Sequence, residues 1–382
     1  MSRELEPSDR ALADRLHRET VIWRSRLDHA LSAFSRRPLR SLDGETLAAL
    51  RIGAAQLLVL GVPAWAALDS TVGAVRGQGR RSYVNAVLRS LVGSGEPPTD
   101  DMAVRWSHPA DLVDRWLDRF GRERTISLLE WNNSVPSLGA CFEREPRIEG
   151  LQPGLYLNCY FSFARGGQSA LEPATRSVYV QDEAAAIVGL GCARLAGRRA
   201  LETCAAPGGK SVHLSRAAGL DILVSSDLSL ARMRRWVENS QRLEFPRSHP
   251  MVCSGARPAV RAGSMDTVLI DAPCTGTGVY RRRNDARWNW GPELLRSCVE
   301  RQRELLASAA AATAPGGRLI YSTCSLEPEE NAGMVEWFEG EQPDFAREDF
   351  PAPARLVRSG LLDIFPPGDG IDGHFAAVWR RD

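Results

Sequence analysis

TVLIDAPCT at residues 267–275 and RLIYSTCS at 318–325 share one local pattern. In each, a short apolar run (Thr267 to Ile270, Arg318 to Tyr321) reads as a buried strand, and a polar turn carrying a cysteine follows at once. A third such unit, ALETCAAPGGKS at 200–211, lies upstream. In an open α/β sheet, ligands bind beyond the carboxyl ends of the strands. The pattern therefore predicts one crevice lined by Cys274, Cys324, Asp271 and a glycine loop.

Outward from this stretch, helix and strand signals alternate from Gln181 onward. A helix over 182–193 precedes strand 199–202 and the glycine loop. A helix from Lys210 to about Ala218, strand 222–226, a helix over 230–242 and a long helix over 292–312 follow. Such alternation predicts a doubly wound parallel sheet. The N-terminal part reads differently. Leu12, Leu16, Trp23, Leu27, Leu31 and Phe34 form one helical stripe, and helical stretches follow over 45–60 and 68–91. GSGEPPTD at 93–100 is a linker signal. The division is an all-α domain over 1–95, a connecting α/β region over 101–180 that includes a helical pair from 108 to 132, and the α/β domain over 181–382.

The chain of 382 residues has 43% apolar and 25% charged side chains, ordinary for a globular protein. No stretch approaches the roughly 18 apolar residues of a membrane span, so no membrane partner is expected. The polar N-terminus carries no visible signal peptide. Eight cysteines without a CxxC pair suit reduced thiols in the cytoplasm rather than a disulfide framework or zinc site, and the six scattered histidines suggest no metal either. Net charge is only +1, yet residues 1–324 carry 43 basic and 34 acidic groups while 325–382 carry 5 and 13. That balance permits a nucleic-acid partner. Of 48 basic side chains, 47 are arginine; the one lysine, Lys210, sits in the glycine loop, where a compact ammonium is not replaceable by a guanidinium.

The loop itself admits two readings. Gly209, Lys210 and Ser211 fit the end of a Walker A motif, which would make the chain a nucleotide hydrolase. Residue 204 is Cys where that motif needs Gly, however, and Pro207 removes an N–H from a loop meant to donate such groups to phosphate. In the second reading, Gly208 and Gly209 let the backbone approach a nucleoside, and Asp227, about 20 positions on, accepts from ribose hydroxyls. Without a phosphate to cradle, S-adenosylmethionine is the natural cofactor. Cys274 and Cys324 then bear on a pyrimidine. A thiolate adding at carbon 6 makes carbon 5 nucleophilic, and Asp271 can stabilise the charge that develops.

VQDEAA, CAAPGGK, DAPCTGTGVYRRRNDARW and YSTCSLEPEEN resemble the Sun/RsmB group of RNA cytosine-5 methyltransferases. Ahead of them, LRIGAAQLLVLGVPAWAALD and YVNAVLRSL resemble that group's NusB-like RNA-binding domain. The resemblance implies a Rossmann-like methyltransferase fold behind an all-α NusB-like domain. It implies S-adenosylmethionine as cofactor and 5-methylcytosine in RNA as product, most naturally in small-subunit ribosomal RNA and alternatively in transfer RNA. Cys324 then attacks the base and Cys274 aids release, with Asp271 and Lys210 near the target. Cys204, Ala205, Ala206, Pro207, Gly208, Gly209, Lys210, Asp227 and Asp271 fall on the group's cofactor positions. Ser254 stands where an acidic residue usually meets adenine, and CFE at 141–143 replaces the group's RVN. Arg281, Arg282, Arg283 and Arg287, beside Trp288 and Trp290, are expected to form a phosphate-and-stacking surface for RNA. A monomer is expected. The rival reading is a methyltransferase relic serving as a non-catalytic RNA-binding scaffold.

Overall fold

The computed structural model describes residues 6–142, 146, 148–163 and 178–382. Glu143, the last residue of CFE, and residues 144, 145, 147 and 164–177 of the connecting stretch lie outside them. The chain divides into two compact units, one running to Asn133 and including Arg283–Asn289, the other comprising Ser134–Arg282 and Trp290–Asp382.

The first unit is all helix: α1 (Pro7–Ile22), α2 (Arg24–Ser32), α3 (Gly44–Leu58), α4 (Ala64–Ala74), α5 (Gln78–Ser94), α6 (Met102–Arg105), α7 (Ala110–Phe120) and α8 (Arg122–Asn133). The stripe read as one helix breaks at Trp23, whose ψ of 15° ends α1 before α2 restarts. Asp43 caps α3 by accepting from Thr46 N–H at 3.1 Å, a contact worth about 1 kcal/mol. Leu27, Leu31, Leu50, Val84, Leu88 and Leu91 of α2, α3 and α5 make the core, with Leu68 and Val72 of α4 packed against it. The helical pair 110–133 groups with these helices rather than with the strands after it.

The second unit opens with a three-stranded antiparallel sheet, β1 (Leu138–Cys141), β2 (Leu151–Pro153) and β3 (Tyr160–Phe163), ordered β1-β3-β2. Then come α9 (Glu183–Leu195), β4 (Arg199–Thr203), α10 (Ser211–Leu214), β5 (Ile222–Asp227), α11 (Leu230–Leu243), β6 (Ser248–Val252), β7 (Met265–Asp271), α12 (Pro292–Ala312) and β8 (Thr313–Thr323). The helix expected from Lys210 to Ala218 is thus four residues long. The chain ends with α13 (Ala332–Glu341), β9 (Phe345–Glu348), β10 (Val357–Arg358), β11 (Leu361–Asp363), α14 (Pro366–Asp369) and β12 (Phe375–Arg381).

Nine strands form the main sheet, ordered β10-β11-β12-β8-β7-β4-β5-β6, with β9 beside β12. Strands β4 to β8 run parallel. The doubly wound expectation holds for them, while β12 and its neighbours extend the sheet antiparallel. Hairpin chemistry explains this edge. Ser359 and Gly360, between β10 and β11, both have positive φ (51° and 81°), as a tight type I′ turn requires.

Side chains alternate across the central strands. Leu201, Val268, Ile270, Leu319 and Tyr321 pack on one face against Leu305 and Leu306 of α12 and Phe338 of α13. Ala200, Leu269 and Ile320 pack on the other against Ile187 and Val188 of α9. From β4 the chain builds outward through β5 and β6, then returns to place β7 and β8 on the opposite side. The switch point between β4 and β7 opens a crevice at their carboxyl ends.

Candidate active site

Four strand ends converge on that crevice. β4 ends at Thr203, and Cys204 turns the chain at once with a φ of 58°. Ala205 N–H donates to Ser226 O at 2.9 Å and Gly208 N–H to Ala205 O at 2.8 Å. Gly208 has φ 107°, and a Cβ there would come within 3.2 Å of Trp236 and Phe245. Only glycine meets both demands. Ala205, Ala206, Val212, Met233, Trp236 and Phe245 form the apolar bed of the loop. Below it, the Trp236 indole donates to Ser211 Oγ at 2.8 Å. Ser211 in turn donates to Glu202 Oε2 at 2.5 Å, and Ser225 donates to the same oxygen at 3.0 Å. Burial pushes the Glu202 carboxyl up to about 7, against these hydrogen bonds.

The Walker reading fails here on physical grounds. Ser211 is engaged with Glu202, Lys210 is buried against Asp271, and α10 is too short to offer a phosphate-binding helix start.

Lys210 is 6% exposed, with Nζ 2.7 Å from Asp271 Oδ1. Ser322 Oγ donates to the same oxygen at 3.1 Å. Burial alone would lower the Lys210 pKa, but the charge of Asp271 and their hydrogen bond raise it above its ordinary value. Burial likewise works against ionisation of Asp271, yet Lys210 holds its carboxyl below the usual range. The ion pair with Lys210 thus favours the charged form of Asp271.

Cys274 and Cys324 face each other with their sulfurs 3.4 Å apart. Gly278 N–H donates to Cys324 O at 3.0 Å, and Leu326 N–H donates to Thr277 Oγ1 at 2.8 Å, so the two turns are joined by their own backbones. The hydrogen bond to Cys324, reinforced by burial and the neighbouring sulfur, pushes the Cys274 thiol well up. Either sulfur can be the donor in this contact.

At the end of β5, buried Asp227 accepts from Ser229 N–H at 3.0 Å through Oδ1. Its Oδ2 lies 3.3 Å from Arg232 Nη1 and accepts no hydrogen bond among the described residues. Ser254 follows β6, whose Val252 pairs with Asp227. Its Oγ accepts from Ala256 N–H at 3.3 Å, so it shapes a turn.

Of the four arginines read as a surface for RNA, Arg281, Arg282 and Arg287 are instead turned inward, while Arg283 stays exposed. Arg281 and Arg282 both bond to buried Asp372, and both reach Asp182. Arg287 is fully buried, donating to Asn132 O at 2.8 Å and Asn133 Oδ1 at 2.6 Å. Trp288 donates to Val21 O at 2.8 Å and lies under the Arg24 guanidinium. Charge and aromatic composition alone could not separate a grip on phosphate from a set of buried fork-shaped pairs. These four side chains hold the fold.

With this geometry in view, comparison with known proteins is decisive. Residues 194–380 match the family described as 16S rRNA methyltransferase RsmB/F, and residues 1–92 match the NusB family. A ribosomal RNA small subunit methyltransferase B of Vibrio cholerae is 30% identical over 99% of this chain and 91% of its own length. The chain belongs to the RsmB/F methyltransferase family. A Xylella fastidiosa relative of the same description is 32% identical, over 98% of this chain and 90% of its own. The crystal structure of PH0851 shares the fold, with TM-score 0.82 at 21% identity, covering 99% of this chain and 92% of that one.

Members of the RsmB/F family use S-adenosylmethionine, and the residues present fit it. At the carboxyl end of β5, Asp227 offers a buried oxygen that accepts no hydrogen bond among the described residues. Four residues that sequence reasoning gave no role also sit here. Glu202 anchors the loop from below; an acid within a buried strand was its signal. Glu330 and Asn331 flank the cysteine turns. His374 precedes Phe375, which pairs with Thr323, and so stands beside the Cys324 turn. Burial first, then the charge of Lys210, pushes its pKa down to about 4.

Proposed function

We propose that this chain methylates carbon 5 of a cytosine in small-subunit ribosomal RNA, with Cys324 as nucleophile and Cys274 freeing the product. The 3.4 Å approach of the two sulfurs carries the reading, because both can then reach one pyrimidine ring. The base must first leave its stack. The Cys324 sulfur adds to carbon 6, breaking the 5,6 double bond and leaving carbon 5 electron-rich. S-adenosylmethionine supplies an electrophilic methyl group when bound in the Cys204–Lys210 loop. The Lys210–Asp271 pair stands beside the two strand ends, placed to polarise the ring while negative charge develops on it. Once carbon 5 has bonded the methyl group, a base takes the carbon 5 proton, the 5,6 double bond re-forms and the Cys324 sulfur is expelled, with the Cys274 proton available to that departing thiolate.

The ribosomal substrate rests on the relatives' names and on the NusB match at residues 1–92. The reading has a monomer acting in the cytoplasm. Bisulfite sequencing of ribosomal and transfer RNA from a strain lacking this chain tests it. The expected result is one protected cytosine in small-subunit RNA that is lost with the chain and restored by its return. Loss of a transfer RNA site instead, or of none, would overturn it.

A further inference from the structure

Two adjacent residues after the Cys324 turn hold the two cysteine turns separately. Glu330 is buried and reaches the Cys274 turn. Its Oε1 accepts from Thr275 N–H at 2.9 Å and Gln302 Nε2 at 3.0 Å, and its Oε2 accepts from Thr275 Oγ1 at 2.5 Å. Gln302 also donates to Pro273 O at 2.9 Å, so Cys274 is bracketed on both sides. Asn331 reaches the Cys324 turn. Its Oδ1 accepts from Thr323 Oγ1 at 2.7 Å, and its Nδ2 donates to Ser325 O at 2.8 Å, again bracketing the cysteine. The Tyr321 hydroxyl donates to Glu330 O at 2.8 Å, tying this pair back to β8.

We infer that Glu330 and Asn331 are positioning residues that set the sulfur–sulfur separation, Glu330 placing Cys274 for release and Asn331 placing Cys324 for attack. Two side chains on one peptide unit cannot drift independently, so their spacing is handed to the two turns as a fixed distance. Both sets of bonds are buried and fully directional, the condition under which a hydrogen-bonded network fixes geometry rather than merely adding stability. The inference rests on the proposed cysteine roles for its chemical half and on the coordinates alone for its geometric half.

The test separates the halves. Diamide accepts two electrons and two protons from a pair of nearby thiols as they join in a disulfide, so the Cys274–Cys324 oxidation rate reads the separation without any RNA. The fraction of protein held on RNA as a denaturant-stable adduct reads the chemistry. Glu330→Ala and Asn331→Ala are the direct variants. Thr275→Val and Thr323→Val remove single hydroxyls at constant volume and keep the test alive if the former do not fold. All four are expected to slow oxidation severalfold. Changes on the Glu330 side should raise the adduct fraction because release fails, whereas those on the Asn331 side should lower it because attack fails. Slower oxidation with no adduct in any protein would uphold the positioning role and count against the cytosine reading. Wild-type oxidation rates in both valine variants would overturn the inference.

Discussion

Lys210 Nζ lies 2.7 Å from Asp271 Oδ1, joining the glycine loop after β4 to the tip of β7 across the switch point of the sheet. The only lysine of the chain is thus the bridge between the cofactor loop and the strand that leads to Cys274. Its place explains why arginine, used everywhere else, is absent here. A guanidinium needs a fork-shaped set of acceptors, and this buried niche offers one carboxylate oxygen.

Lys210→Arg is therefore expected to fold yet lose activity, by roughly 100-fold or more, the scale seen when one preorganised electrostatic group is removed. Single-turnover methyl transfer with a thermal melt as control measures it. Lys210→Met should cost only about 1 kcal/mol of stability, because Asp271 stays 37% exposed and water screens it. The pH signs are fixed by the shifts. Asp271, lowered, contributes stability that is lost as pH falls through its folded value. Lys210, raised, contributes stability that is lost as pH climbs through its own. Both shifts widen the pH range over which the pair stays intact.

Glu202 has the opposite sign. Its folded value of about 7 exceeds the unfolded value, so the folded state holds the extra proton and stability declines as pH rises from roughly 4.5 to 7. Glu202→Gln removes that slope. Urea melts at pH 5 and pH 8 should show wild type losing up to roughly 3 kcal/mol relative to the variant across the interval. Parallel profiles would contradict a buried Glu202 carboxyl.

Arg287→Met tests the inward arginines. It leaves one buried acceptor, Asn132 O, and one half-buried acceptor, Asn133 Oδ1, without their donor, at a cost of roughly 1–3 kcal/mol. The expected signature is a lower melting temperature with an unchanged salt slope of RNA binding. A salt slope reduced by about one with stability intact would restore Arg287 to a phosphate contact.

The parts of the fold legible in the sequence were those with strict local grammar. Apolar runs ending in DAPC and TCS placed β7 and β8, and Pro292 to Ala312 emerged as α12 with the expected bounds. The glycine loop and both cysteines meet as their spacing implied. What stayed hidden depended on partners far along the chain. The inward turn of Arg281 and Arg282 needs Asp372, some ninety residues away. Likewise, the roles of Glu330 and Asn331 exist only because β8 returns beside β7. The antiparallel edge was missed for a different reason: β10 and β11 are only two and three residues long, and the apolar run of β12 carries no local sign of which strand it pairs with.

The central claim is that one sulfur bonds to the base and the other frees it. Incubating Cys274→Ser and Cys324→Ser proteins with substrate RNA and S-adenosylmethionine, then resolving them under denaturing conditions, tests this most directly. Cys274→Ser should accumulate a slow-migrating protein–RNA adduct carrying the transferred methyl group, and Cys324→Ser should form none and transfer nothing. An adduct in Cys324→Ser, or full turnover in either variant, would contradict the account.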